Sequence, residues 1–321
     1  MKTKSLILTS LCVLVFSLSA KGAPITSADN NYLKGKSADE LIELWSIAPH
    51  PEKYLIEDQL LDDLDSSISS LREKIKMGKV GEKLFSCHLL AEINDPNSIP
   101  VIMGALDDPD VKVKIRAVSS LRKMKARQAK VKIKEQLVKT KNKGLIKSSL
   151  VAIGFLGELK DIPAIKQYLS SSDESVRVNA AAGLALLGSF EGEEILLNST
   201  HSENPLAKKE ATYALGFIST QKSKNRLQEI LDDPNGQWKS YVRIALANQK
   251  LGGMKKQERI GFLTGLSSDK NERVAAWAID KILELDSANS KKILKEISES
   301  DSKLANKAQR QLKIKEAKNE K

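Results

Sequence analysis

Hydrophobic positions recur along this chain with the period of an α-helix, and the helices themselves recur with a longer period. In residues 176–188, VRVNAAAGLALLG, apolar side chains return every three or four residues, which predicts an amphipathic helix. Related segments occur eight times, and their centres lie 30 to 34 residues apart. Such regular spacing indicates an internal structural repeat. The small residues at the eight centres, called anchors below, are Ser86, Ala117, Ser149, Ala180, Ala211, Ala245, Ala275 and Ala308.

An earlier apolar segment within the repeats indicates that each repeat holds two helices. Polar clusters such as DDPD at 107–110 and SSDES at 171–175 precede the anchor helices, and their side-chain oxygens are suited to cap a helix. A pair of helices cannot bury its own apolar face, so the pairs are predicted to stack with a continuous core. This predicts contacts between neighbouring pairs, and not between pairs distant along the chain. The earlier segments are 99–106, 129–137, 162–169, 192–197, 227–231, 260–266 and 293–297.

The composition agrees with an array of helices rich in small apolar residues. Hydrophobic residues make up 41% of the chain and aromatic residues only 4%, which argues against disorder and against most β-sandwiches. The small anchors, together with Gly188 after Leu187, are predicted to let neighbouring helices approach closely.

The segment 176–188 and its copies resemble HEAT repeats, in particular the short type named after phycobilisome lyases. The resemblance covers roughly residues 80–315 and implies an all-α fold, a right-handed α-α superhelix of about eight helix pairs. In that family a turn aspartate precedes a Val-Arg pair. We expect the aspartate to cap the second helix and the basic residue to tie down the turn, rather than an acid–base role. The matching pairs are Asp110 with Lys114, Asp173 with Arg177 and Asp269 with Arg273.

The first twenty residues have the layout of a secretory signal peptide. Lys2 and Lys4 precede an apolar run from Ser5 to Ser19, which is short for a bilayer-spanning helix of about 20 residues. Cleavage after Ala20 is favoured over cleavage after Gly22, and an uncleaved anchor helix is the alternative. The protein is therefore predicted to be exported, to a periplasm or out of the cell, with no transmembrane segment after cleavage.

The rest of the chain divides into four predicted regions. Residues 21–36 are a polar, flexible leader, and residues 37–79 form a helical cap over the first repeat. Within this cap, Ser37 and Glu40 have capping-box spacing, and residues 52–77 form one long or two shorter helices. The repeat solenoid spans 80–315, and 316–321 is a charged tail.

Charge is distributed unevenly along the chain, whose formal net charge is +11. Residues 39–65 hold nine acids and one lysine, whereas residues 111–160 hold fifteen basic residues and two acids. Lys112, Arg116, Ser119 and Lys123 fall on one side of a predicted helix. We expect the partner-binding residues to lie in this basic block: Lys112, Arg116, Lys123, Arg127, Lys130, Lys134 and Lys147.

Four interpretations of the basic block remain open. It is a solvated surface that maintains solubility, or it binds an anionic partner such as an acidic protein, lipid headgroups or acidic glycans. A third interpretation pairs it with the acidic N-terminal helices of the same or another molecule. Nucleic acid is disfavoured, because export removes the usual partners and the block lacks aromatic residues for base stacking.

Catalytic, metal and cofactor sites find no support in the sequence. The histidines are isolated, no catalytic motif occurs, and Cys87 beside His88 is expected to be a buried, inert thiol, since adjacent helical residues point about 100° apart. We therefore predict a non-catalytic binding or assembly scaffold with a protein partner, which uses the second helices as a platform. The family resemblance implies an alternative, an enzyme-assisting, lyase-like or chaperone subunit.

Overall fold

The computed structural model describes residues 32–234, 236, 238–285, 288–300 and 304–319. The predicted signal peptide and most of the predicted leader lie outside these residues. The end of the leader, from Tyr32 to Lys36, forms a turn that buries Leu33, which is 1% exposed. Throughout the described residues the secondary structure is helical, without a strand. None of these helices is long and apolar enough to cross a membrane.

In the described ranges, eight helix pairs follow two N-terminal helices, α1 (Ala38–Ile47) and α2 (His50–Leu60). The first helices of the pairs are α3 (Leu64–Met77), α5 (Ile99–Gly104), α7 (Lys130–Lys139), α9 (Ile162–Lys166), α11 (Glu193–Ser199), α13 (Gln221–Asp232), α15 (Lys256–Ser267) and α17 (Ala288–Ser298). The second helices are α4 (Val80–Ile93), α6 (Val111–Lys123), α8 (Lys143–Leu156), α10 (Glu174–Leu186), α12 (Pro205–Ala214), α14 (Lys239–Gly252), α16 (Glu272–Glu284) and α18 (Ala305–Asn319). The all-α solenoid of eight pairs is confirmed, and α3, predicted as part of the cap, packs as the first helix of the first pair.

The repeat period corresponds to the packing of the second helices on one another. All eight anchors are buried, none more than 3% exposed. The core forms three adjoining clusters along the array instead of one uninterrupted cluster. The expectation for Gly188 was wrong, because a Cβ there would meet nothing within 4 Å. Its φ of +81° explains the glycine, since it ends a helix in the left-handed conformation.

Asp or Asn side chains cap five of the described second helices, α6, α8, α10, α12 and α16, whereas α14 follows Trp238 without a side-chain cap, contrary to the prediction from its turn cluster. Asp110 accepts a hydrogen bond from the Lys112 amide, and Asp173 accepts one from the Val176 amide. The expectation for Asp269 was wrong, because Asn271 caps α16 and accepts from the Val274 amide. The basic partners also differ from one another. Arg177 donates to the carbonyls of Ser171 and Ser172, as expected for a residue that ties down the turn.

The other two basic partners point elsewhere. Lys114 lies 3.5 Å from the side chain of Gln136, and Arg273 donates to Ser240. Turn aspartates instead bind a basic residue from the preceding second helix. Lys83 Nζ lies 2.6 Å from Asp108, Lys143 Nζ lies 2.8 Å from Asp173, and Arg243 binds both oxygens of Asp269. These ion pairs join neighbouring repeats.

The two ends of the array meet, so the expectation that distant pairs do not touch was wrong there. Arg310 of α18 binds Glu57 and Asp58 of α2, and Lys313 binds Asp62. Ile314 of α18 is buried in the same apolar cluster as the N-terminal helices. The acidic N-terminal segment thus contacts the last helix, and the solenoid closes on itself.

Candidate functional site

The second helices line the inner, concave side of the closed array. Lys125, just after α6, lies 3.6 Å from Glu284 of α16, which is five repeats further along the chain. Lys307 of α18 is close enough to Glu92 of α4 to help lower the pKa of that carboxyl. Contacts between such distant repeats arise from the second helices and the residues that follow them. The side of each second helix that carries these residues is therefore the concave face.

Three basic residues of α6, with Ser119 between the second and the third, form a basic stripe on the concave face: Lys112, Arg116 and Lys123. The opposite side of the helix carries Val113, Ala117 and Leu121, all fully buried. Lys123 binds Glu92, which occupies the corresponding position of α4. Lys112 and Arg116 are exposed, and no carboxylate of the described residues pairs with either.

The remaining predicted contact residues lie away from this stripe. Lys130 and Lys134 belong to the outer helix α7, where both amino groups lie 2.9 Å from Asp161. Their ion pairs hold the pKa of the buried Asp161 carboxyl at about 2, against the desolvation that would raise it. Arg127 precedes α7 and is exposed, and Lys147 is half-buried on α8 near the Asp173 turn. The structure thus divides the basic block between the two sides of the solenoid.

An apolar strip on α8, α10, α12 and the 3-10 turn after α12 (Leu215–Phe217) continues the concave face beside the basic stripe. Its residues occupy the same two positions, relative to the anchors, as Ser119 and Lys123 on α6. Asn179 of α10 and Glu210 of α12 each lie one residue before their anchor, as Arg116 does on α6. Asn179 donates a hydrogen bond of 2.7 Å to Glu210, which joins the two helices one helical turn from the strip. All members of the strip are partly exposed, and the Tyr213 and Phe217 rings contact each other edge to face. The apolar strip consists of Val151, Phe155, Ala182, Leu186, Tyr213 and Phe217.

Arg122 is a concave-side cation that sequence reasoning did not select. Desolvation by burial lowers the pKa of its guanidinium, and the hydroxyl of Tyr213 on α12 lies near enough to oppose that shift. The Arg122 guanidinium makes no hydrogen bond or ion pair within the described part of the chain. A desolvated charge without a counter-ion is costly. An anionic group placed between Arg122 and the apolar strip would reduce this cost.

Cys87 and His88, the two residues considered for catalysis, lie in surroundings typical of structural residues. Cys87 is fully buried, and desolvation raises the pKa of its thiol to about 12. Burial lowers the pKa of the neighbouring His88, whose Nδ1 lies 3.8 Å from Glu92. The described residues contain no group of three or more His, Cys, Asp or Glu side chains suited to hold a metal ion.

Comparisons with known proteins agree with this architecture. Residues 162–247 match the family of HEAT repeats. The match runs from α9 into α14, so this part of the array consists of repeats of the HEAT type. A complex of CpcE and CpcF of phycocyanin lyase from Nostoc sp. PCC7120 has a similar fold: the match is 15% identical, covers 83% of this chain and 97% of that chain, and has a TM-score of 0.52. YibA of E. coli is 16% identical over 81% of this chain and 98% of its own, with a TM-score of 0.44. A search of curated proteins finds no match to this sequence.

Alignment of the repeats on their anchors indicates how Arg122 could have been found from the sequence. Five residues after the anchor, the following repeats carry Gly154, Ala185 and Gly216, which pack against the next second helix. Arg122 is the long, charged residue at this position of α6. The apolar strip has a similar signal, because Phe155 and Phe217 both lie six residues after an anchor. These differences between repeats carry more information about the surface than the repeat consensus does.

Proposed function

We propose that the protein is a binding or assembly scaffold that works outside the cytoplasm and has no catalytic activity of its own. The single observation that carries the proposal is the concave face, where cations that pair with no carboxylate of the described residues border an apolar strip. Lys112, Arg116 and Arg122 offer positive charge, and Phe155, Tyr213 and Phe217 offer apolar surface. The partner that complements both is a protein segment with acidic and apolar side chains.

In this proposal, opposite charge brings the partner segment to the concave face, and apolar contact keeps it bound there. Exposed cations attract an acidic segment over roughly a Debye length, about 8 Å at physiological salt, and mainly increase the association rate. Burial of apolar surface contributes about 25 cal/mol per Å² and slows dissociation. The apolar N-terminal run supports export, although the second helices would offer the same surface in any compartment.

A second candidate function follows from the fold similarity to CpcE and CpcF, which are subunits of a phycocyanin lyase. In this case the protein would assist the modification or folding of another protein. Both candidates require protein binding and differ in whether the bound protein is released in an altered covalent state. Mass spectrometry of a captured partner, before and after incubation with the purified protein, separates them.

The concave site is tested with an acidic peptide, a fluorescent amphipathic helix of Glu and Leu residues. We expect Lys112→Glu with Arg116→Glu to weaken binding at least tenfold, with a smaller effect at about 1 M salt, where the Debye length is about 3 Å. Replacing Leu by Ser in the peptide should weaken binding further, because the apolar strip then has no complement.

The matched control reverses two exposed cations on the outer side, Lys139→Glu with Lys141→Glu, with the same change in net charge. If both double variants weaken binding equally, the peptide senses only net charge and the concave site is rejected. Equal binding of the Leu and Ser peptides would reject the apolar strip. Binding of anionic vesicles or an acidic glycan in preference to either peptide would replace the protein partner by that ligand.

A further inference from the structure

The contact between the last helix and the N-terminal helices carries an inference about how the concave face is reached. This contact, called the clasp below, consists of Arg310 and Lys313 of α18 together with Tyr54, Glu57, Asp58 and Asp62. We propose that the clasp is a releasable closure, and that its opening admits a partner to the concave face. The second half of this statement rests on the proposed function, and the first half does not.

Arg310 is the centre of the clasp. Its Nη1 lies 2.5 Å from Glu57 and its Nε lies 3.0 Å from Asp58, while Nη2 donates to the Tyr54 carbonyl at 3.2 Å. The guanidinium also lies over the Tyr54 ring, 5.4 Å from its centroid. A guanidinium that uses three nitrogens on three neighbours is held in a defined orientation.

The acidic side of the clasp is prepared by the N-terminal helices. Glu57 is only 6% exposed, and its second oxygen accepts a hydrogen bond of 2.9 Å from the Trp45 indole. Trp45 in turn stacks on Phe85 of the first repeat, with 4.0 Å between ring centroids. The carboxylate that receives Arg310 is therefore fixed to the folded start of the solenoid, and opening would leave it in place.

The chemistry of the closure differs from the chemistry that joins neighbouring repeats. Neighbouring repeats share buried apolar clusters, whereas the closure is mostly ionic, with Ile314 as its apolar contact among the described residues. Lys313 binds Asp62 and the Asp58 carbonyl, and both Asp58 and Asp62 are about half exposed. Ion pairs with such exposed carboxylates contribute little and are weakened by salt, whereas the Arg310–Glu57 pair, with side chains 17% and 8% exposed, is largely shielded and favours the closed form. The closure can therefore open while the repeats stay folded.

Closure restricts the concave face because the second helices are already near one another across the array. The contact between Lys125 and Glu284 is a further ionic link between distant repeats, with both side chains substantially exposed. A partner segment that binds as a helix is about 10 Å wide and needs more space between the second helices than an extended chain does. Separation of α18 from α2 would widen the array without breaking the stacking between adjacent repeats.

The test measures the distance between the ends and the access of the acidic peptide in the full chain. Dyes on cysteines placed at the exposed residues Ser66 and Glu316, in a Cys12→Ser background, report the end-to-end distance by energy transfer. Native Cys87 is buried and does not compete for the label. We expect efficient transfer at low salt, a decrease at about 1 M salt, and low transfer at every salt concentration in Arg310→Glu with Lys313→Glu.

Two further variants control for charge and for folding. Lys292→Glu with Lys295→Glu makes the same charge change on α17, where both lysines are more than 70% exposed, and should leave energy transfer unchanged. Adding Asp58→Lys and Asp62→Lys to Arg310→Glu with Lys313→Glu, called the open variant, restores opposite charges at two of the three ion pairs and should recover part of the transfer. Circular dichroism should show equal helix content in all variants. If energy transfer in the open variant equals that in the unmodified protein, the proposal that the clasp closes the array is overturned.

The acidic peptide separates failure of the clasp from failure of the proposed function. Relative to the α17 control, the open variant should bind the peptide about ten times faster. If the open variant and the α17 control bind the peptide at equal rates, and Arg116→Glu still weakens binding, then the clasp does not control access, while the concave binding site stands. If Arg116→Glu does not weaken peptide binding in either the open variant or the closed protein, the proposed function is rejected. The energy-transfer result for the clasp does not depend on this outcome.

Discussion

Gly154 of α8 and Gly183 of α10 face each other where two adjacent second helices come closest. A Cβ built on Gly154 would lie 2.4 Å from the Gly183 carbonyl oxygen and 2.6 Å from its Cα. These neighbours are backbone atoms, so they cannot give way by rotating a side chain. The contact fixes the spacing of the two helices in the middle of the array, directly beneath the apolar strip.

Replacing Gly154 by Ala should destabilise the protein, although alanine is the better helix former. Overpacking of this kind costs about 1–3 kcal/mol, more than the roughly 1 kcal/mol that alanine gains over glycine in a helix. Gly265→Ala is the matched control, because its Cβ would meet nothing within 4 Å in the exposed part of α15, and it should be slightly stabilising. Urea unfolding followed by circular dichroism measures both, and a stabilised Gly154→Ala protein would contradict the packing.

The sequence predicted the stacking because burial imposes a period. Each anchor must be small to fit between helices, and this requirement recurs in every repeat. The clasp has no such signal, since Arg310 and Glu57 lie 253 residues apart and each occurs once. The division of the basic block was also hidden, because Lys130 and Arg116 are equally charged in sequence. Only the packing shows that Lys130 is bound to Asp161 and Arg116 to no acid of the described residues.

Asp161 should contribute stability that depends on pH. The carboxyl is 2% exposed, and Lys130 and Lys134 help to hold its pKa at about 2, below its ordinary 3.8. Because the folded state has the lower pKa, this contribution is complete above about pH 5 and is lost as the pH falls towards 2.

The variant Asp161→Asn should therefore be about 2 kcal/mol less stable near neutral pH, and the difference should shrink towards pH 2. Urea unfolding at both ends of this range measures it. Asp107→Asn removes an exposed ion pair with Lys132 and serves as the control, with an expected change below about 1 kcal/mol. A difference for Asp161→Asn that stays constant with pH would contradict the assigned role of the lysines.

Cys87 should behave as a structural residue and not as a nucleophile. With a pKa of about 12, roughly one thiol in ten thousand is ionised near pH 8, and burial excludes the reagent as well. In a Cys12→Ser background, iodoacetamide should leave the folded protein unmodified and label one thiol after unfolding in urea. Rapid labelling of the folded protein would contradict the buried thiol and reopen the question of catalysis.

Arg122 should oppose stability while it supports binding. Its guanidinium is desolvated, has no carboxylate partner in the described part of the chain, and lies near Tyr213 of the apolar strip. Arg122→Met keeps the length of the side chain and removes the charge, so the free energy of unfolding should rise by about 1 kcal/mol. The same variant should bind the acidic peptide several times more weakly, because the anion then has no desolvated cation to meet. Arg127→Met is the control, at an exposed position that forms no ion pair with the residues described in the structure, and its stability change should stay within about 0.5 kcal/mol. If Arg122→Met lowered stability and left binding unchanged, Arg122 would be a packing residue, and the concave site would depend on Lys112 and Arg116 alone.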